Sequence, residues 1–215
     1  MSKTKTKDAP AASVEIASVA LETARIPIIG TAPLIMHRWS EKAKRELAER
    51  AMKRAKPKET PDPQAEYEAA MYLIEEGRLG FPAIGFKRAM VGGARVFGKE
   101  LTMTALKQFV FIDGEMGTHI QSDGQKLVEI IGEVRMREDV VRVGQGTSMR
   151  YRPEIIDWHA TLLVTYAKNM LTFDTVMALV NAAGFGVGIG DWRPEKNGSF
   201  GTFAIDTNKE IEIVG

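Results

Sequence analysis

The residues most able to do chemistry lie in one run near the C-terminal end, Gly184-Phe185-Gly186-Val187-Gly188-Ile189-Gly190-Asp191-Trp192-Arg193-Pro194-Glu195-Lys196-Asn197-Gly198-Ser199-Phe200-Gly201. Alternating glycines let a backbone approach a ligand and present successive N–H groups, an arrangement suited to phosphate. Gly186, Gly188 and Gly190 would supply that backbone, Arg193 and Lys196 positive charge, and Trp192 a face on which a base can stack. The run lacks the Gly-Lys-Ser/Thr ending of a phosphate-binding P-loop. It also follows an expected helix rather than opening one, unlike a dinucleotide fingerprint. The competing reading is a tight helix-to-strand connection in which glycine only permits positive φ.

Cations recur elsewhere. Arg135, Arg137, Arg142, Arg150 and Arg152 concentrate in a short stretch with Tyr151 among them, and the planar guanidinium suits phosphate and base contacts. Glu133, Glu138 and Asp139 are close enough in sequence that a salt-bridged sheet surface is the alternative. Lys87, Arg88 and Arg95 punctuate a second segment. From Arg38 to Lys58 the basic residues outnumber the acidic ones, which implies either a basic patch or an ordinary solvated helix face.

Acid–base candidates are few. Of three histidines, His37 follows an expected strand and sits beside Arg38, a place suited to proton transfer next to a phosphate. His159 alternates with Trp158 in an expected strand, His119 lies in an expected loop, and Asp113-Gly114 reads first as a turn. No metal-ligand spacing and no nucleophile elbow occurs, so the reading assigns no catalytic residue beyond the weak candidate His37, no metal and no cofactor.

These residues must be positioned by a chain of 215 residues with a formal net charge of +1, 44% hydrophobic and 27% charged, ordinary for a globular protein with a real core. There is no cysteine, no run long enough to span a membrane and no secretory pattern, which together lead to the expectation of a cytoplasmic protein. Residues 1–22 read as a mobile arm and 23–215 as a single domain with a helical insertion at about 38–77. Ile26 to Met36 reads as a strand in which Pro27 and Pro33 force an edge, a bulge or an early exit. Helices are expected over Glu41–Lys56, Gln64–Glu76, from near Ile84, and Thr175–Ala183. Gly92 and Gly93 keep one face of the third small enough for close approach by another element.

Strands are expected at Gln108–Ile112, Leu127–Met136, Val140–Val143, Ile156–Tyr166 and Phe200–Ile205, with a short last one near Ile211–Val214 and a flexible loop over 144–148. Trp158, Ala160, Leu162, Val164 and Tyr166 fall on one face of the fourth. The order strand, helix, strand, strand, helix, strand is the ferredoxin-like (RRM-like) βαββαβ pattern, an α+β fold. The runs around 105–115 and 137–152 are then extra, a protruding hairpin or an edge extension.

Three blocks resemble the RAMP superfamily of CRISPR-associated proteins. They are Ile28-Ile29-Gly30-Thr31-Ala32-Pro33-Leu34-Ile35, Phe81-Pro82-Ala83-Ile84-Gly85-Phe86-Lys87-Arg88-Ala89-Met90 with Ala94-Arg95, and the glycine-rich run. They occur in the superfamily's order across residues 25 to 205. The pattern is similar to the backbone subunits that polymerise along a guide RNA, or to a stand-alone, virus-encoded relative. The resemblance implies RNA held by Lys87, Arg88, Arg95 and the glycine-rich backbone, with the 137–152 region, including Arg137, Arg150 and Arg152, as a thumb-like hairpin. It implies a non-catalytic subunit that binds single-stranded nucleic acid, RNA before DNA. That subunit would form a homo-oligomer or nucleoprotein filament, with other effector subunits as further partners. The alternatives are a metal-independent endoribonuclease using His37 and a self-assembling structural or adaptor protein without nucleic acid.

Overall fold

The computed structural model describes residues 18–39, 48–49, 52, 62–99, 101–117, 125–143 and 146–214. Strand β1, Leu21–Gly30, alternates as expected: Ala24, Ile26 and Ile28 are buried, while Arg25 and Ile29 are exposed. It continues through Pro27, whose carbonyl accepts from the Asp206 amide. A strand residue points its N and its C=O the same way, so the missing N–H of Pro27 faces the break between the two strands that flank β1 on that side, at Phe203–Ile205 and Glu212–Ile213. The proline is thereby tolerated in a central strand. The early exit falls instead at Pro33, before β2, Leu34–Ile35.

Helix α1, Pro63–Ala69, is capped by Asp62, which accepts from the Gln64 and Ala65 amides. The expected helix over Gln64–Glu76 therefore ends early. β3, Leu73–Glu75, turns at Gly77 (φ 78°) into β4, Arg78–Pro82. The other helix expected in this region, Glu41–Lys56, lies outside the described residues apart from Ala48, Glu49 and Met52, as do residues 1–17 of the expected arm. Leu21 and Glu22, assigned to that arm, belong to β1.

Helix α2, Ala83–Gly93, follows Pro82 directly, and a 3-10 turn carries it on to Phe97. α3, Met103–Phe109, is capped by Thr102, so Gln108 is helical and the strand expected there is confined to β5, Val110–Asp113. β6, Glu115–Met116, and β7, Lys126–Glu129, join β3 and β4 in a four-stranded sheet ordered β3-β4-β7-β6. β8, Ile131–Val143, and β9, Gly146–Ala167, form a long hairpin that takes in Gly146–Ser148 of the expected loop. α4, Phe173–Gly186, leads through the glycine-rich run to β10, Phe203–Ile205, and β11, Glu212–Ile213.

The second half of β9 pairs with β1 on one side and β5 on the other, and β1 pairs with β10. The order β10-β1-β9-β5, with α2 between β1 and β5 and α4 between β9 and β10, is the antiparallel ferredoxin-like arrangement of an α+β fold. β5 is thus a core strand, not the extra element expected there. Trp158, Leu162, Val164 and Tyr166 are fully buried, and Trp158 Nε1 donates to the Ala32 carbonyl at 2.8 Å. α2 and α4 cross closely because Gly93 has no side chain: a Cβ there would stand 2.9 Å from the Ala183 amide nitrogen. The first half of β9 pairs with β2 and β8, so the hairpin stands on the same edge as β5.

Candidate nucleic-acid interface

The glycine-rich run folds onto β2 and onto itself. Gly188, Gly190 and Gly201 occupy positive φ (69°, 75° and 64°). The amides of Gly188, Ile189, Asp191 and Gly201 donate to the carbonyls of Ala183, Gly201, Ile35 and Pro33 at 2.7–3.0 Å. These groups therefore do not stand free for a phosphate, which corrects the cradle expected from glycine spacing. The tight-connection reading accounts for Gly188 and Gly201. Gly186 is the exposed last residue of α4, with open space around it. Arg193 is taken up by Glu195 and by the Gly190 carbonyl, while Lys196 is exposed and holds no ion pair among the described residues.

At the root of the hairpin the structure brings together His37, Arg137, Arg152 and Trp192. Arg152 is buried, donating through Nη1 to Asp191 Oδ2 and through Nη2 to Asp139 Oδ2, each at 2.6 Å, and its Nε has no partner among the described residues. Arg137 holds Asp139 at 2.9 Å and Glu154 at 2.8 Å. Its guanidinium lies 4.8 Å from the Phe200 ring centre and 5.8 Å from that of Trp192, within cation–π range. His37 Nδ1 is 3.0 Å from the same Asp191 oxygen, with the side chain 39% exposed. Burial works to raise the Asp191 carboxyl; the hydrogen bond with His37 and the charges of His37 and Arg152 more than reverse this and hold it below the ordinary carboxylate value. Carboxylates balance the arginines here, so this cluster pins loop to hairpin and leaves one exposed plate, Trp192 at 43%. Arg38 donates to the Met71 carbonyl and is only partly exposed.

A second grouping lies on the outer side of α2. A hollow of about 370 Å³ is lined by Ala83, Ile84, Lys87, Arg88, Phe111, Ile112, Gln125 and Lys126. The Lys87 ammonium sits 3.9 Å from the Phe111 ring centre, and burial lowers its proton affinity below the ordinary lysine value. Lys126 pairs with Asp113. Arg95 is exposed further along the same helical run. A third grouping is the outer part of the hairpin, where Arg142 is exposed and Arg150 partly so.

Sequence reasoning did not select Asp191, Glu154, Phe200, Phe111, Gln125 or Lys126. A signal did exist for part of this. Arg137/Asp139 and Arg152/Glu154 are i,i+2 pairs, which share a face of a strand. Among the described residues no group of three His, Asp or Glu side chains could hold a metal ion, and no helix is long and apolar enough to cross a membrane.

The fold and site thus define an α+β, ferredoxin-like chain with cationic surfaces on α2 and the hairpin. No family model matches the chain, and no curated protein matches it. Among solved structures it is similar to Cmr6 from Pyrococcus furiosus, with a TM-score of 0.44 and 10% identity over 87% of this chain and 98% of that one.

Proposed function

We propose that this chain binds single-stranded nucleic acid, RNA in preference to DNA, as a non-catalytic subunit that assembles in multiple copies along the strand. The assembly is a ribonucleoprotein of the CRISPR-effector kind, which the resemblance to RAMP proteins implies. The observation that carries the reading is the division among arginines. Arg25, Arg78, Arg135, Arg137, Arg152 and Arg193 are each held by a carboxylate. Arg88, Arg95, Arg142 and Arg150 hold none among the described residues, although the chain is nearly neutral. Unpaired guanidiniums on a helix and on a hairpin suit a phosphate backbone. Exposed Trp192 adds a stacking surface, with Lys87 and Lys196 as further cations and Gly186 as a point of close approach. Recovery of the protein from cells tests this: copurifying single-stranded RNA supports it, and filaments of clean protein would favour the adaptor reading instead.

A second reading has one observation in its favour. His37 turns Nδ1 to Asp191 and keeps its side chain partly exposed, as a general acid or base for metal-independent RNA cleavage would. His37→Ala separates the two: cleavage that disappears while binding persists supports the nuclease, and wild-type protein that binds RNA without cutting it removes this reading.

A further inference from the structure

Resting on the nucleic-acid reading above, the geometry points to the hollow between α2 and β5 as a pocket for a single nucleotide unit, its base laid against Phe111 and its phosphate taken by Lys87, Arg88 and Lys126. The walls divide by chemistry. Ala83, Ile84, Phe111 and Ile112 form an apolar side, and Lys87, Arg88 and Lys126 a cationic one. Among the described residues no carboxylate lines the hollow, and Asp113 is the one acid that engages any of the three cations. An apolar, aromatic wall beside three cations selects an anion that carries a flat ring. Phe111 is 50% exposed, so ring area remains for a base beside the Lys87 ammonium. Gln125 can both donate to and accept from a base edge. About 370 Å³ lies at the small end of ligand pockets, which run from roughly 300 to 1,000 Å³, and suits one nucleotide rather than a stretch of strand. Burial already disfavours the Lys87 ammonium, and an anion seated beside it would offset that. Arg95, seven residues beyond Arg88 and so roughly 10 Å further along the helical rise, extends the cationic line away from the pocket.

The unit could be a free nucleotide or one member of a bound strand, and calorimetric titration of the full chain distinguishes them. AMP, adenosine, inorganic phosphate and a short oligoadenylate are titrated into wild type, Phe111→Leu, Lys87→Gln and the remote control Arg135→Gln, with circular dichroism confirming the fold of each. Phe111→Leu keeps an apolar side chain on the strand but removes the ring, and loss of one stacked base is expected to weaken binding roughly tenfold. AMP that binds wild type, at least tenfold better than adenosine or phosphate, and is weakened in both pocket variants supports a free-nucleotide site. Oligoadenylate weakened in both variants, with AMP silent throughout, supports a site for a unit of the strand. Oligoadenylate and AMP that bind the variants as they bind wild type would overturn the pocket and leave the strand-binding reading standing. Wild type that binds AMP but no oligoadenylate would keep the pocket and remove the strand, and wild type that binds neither would end both.

Discussion

Arg137 and Arg152 stand directly opposite each other across the β8–β9 hairpin, and both donate to the carboxylate of Asp139. Like charges facing across an antiparallel pair destabilise it. At the hairpin root Asp139, Glu154 and Asp191 interleave the two guanidiniums and offset that repulsion. The same carboxylates remove Arg137 and Arg152 from the charge available to a polyanion.

Replacing the buried Asp139 by Ala leaves both guanidiniums facing each other without their shared partner, and Arg152 is almost wholly buried. Breaking a buried ion pair by removing one partner typically costs about 3–5 kcal/mol. Urea denaturation is expected to show a loss of that order for Asp139→Ala, partly recovered in Asp139→Ala/Arg152→Met. A loss no larger than that of an exposed pair, measured with Glu133→Ala, would contradict the role given to Asp139.

Asp191 makes stability depend on acid. Its folded value lies below the ordinary carboxylate value of 3.8, so its contribution is complete above that value and is lost as pH falls through the lower folded one. Asp113 and Glu129 are shifted in the same direction but are more exposed, so screening reduces their share. Asp191→Asn is expected to be less stable than wild type at neutral pH. The gap between the two should narrow as pH drops below 3.8. A gap that stays constant into acid would show that the carboxylate's charge plays no part.

The α2–α4 crossing predicts a contrast between two glycines. Gly93→Ala sets a methyl 2.9 Å from the Ala183 nitrogen and 3.3 Å from the Ala182 Cβ, and overpacking of this kind costs about 1–3 kcal/mol. Gly186→Ala meets nothing within 4 Å, and removing glycine from a helix end that another residue can adopt is neutral or stabilising by up to about 1 kcal/mol. Thermal unfolding should lower Tm for the first and not for the second; the reverse order would contradict the crossing.

Much of this framework was legible in the residues. The alternation in β1 and the single apolar face from Trp158 to Tyr166 identified two central strands, and Gly92-Gly93 marked the close crossing, because burial imposes a period and close packing demands small residues. β5 was misplaced as an extra strand because four residues following a helix carry too little periodicity to show what they pair with. The β3–β4 turn was hidden because a strand of three residues shows its pairing only in three dimensions. The ion-pair root was harder still. Asp191 lies 154 positions from His37 and 39 from Arg152, and no local pattern announces contacts of that range. The glycine spacing misled for a physical reason: positive φ serves an inward-folded turn as readily as an outward-facing nest.

The central claim is that the unpaired cations carry a single strand, and salt dependence tests it most directly. If Lys87 and Arg88 together neutralise one phosphate, and Arg95, Arg142, Arg150 and Lys196 one each, the logarithm of the affinity for a labelled single-stranded RNA should fall against the logarithm of salt with a slope of about −3.5, since single strands contribute roughly −0.7 per phosphate. In the variant with Arg88, Arg95, Arg142 and Arg150 all changed to Gln, Lys87 and Lys196 remain and the slope should flatten to about −1.4. Arg135→Gln, whose guanidinium Glu133 already holds, should leave it unchanged. Binding with the same slope in all three proteins, or no binding by wild type at low salt, would contradict the account.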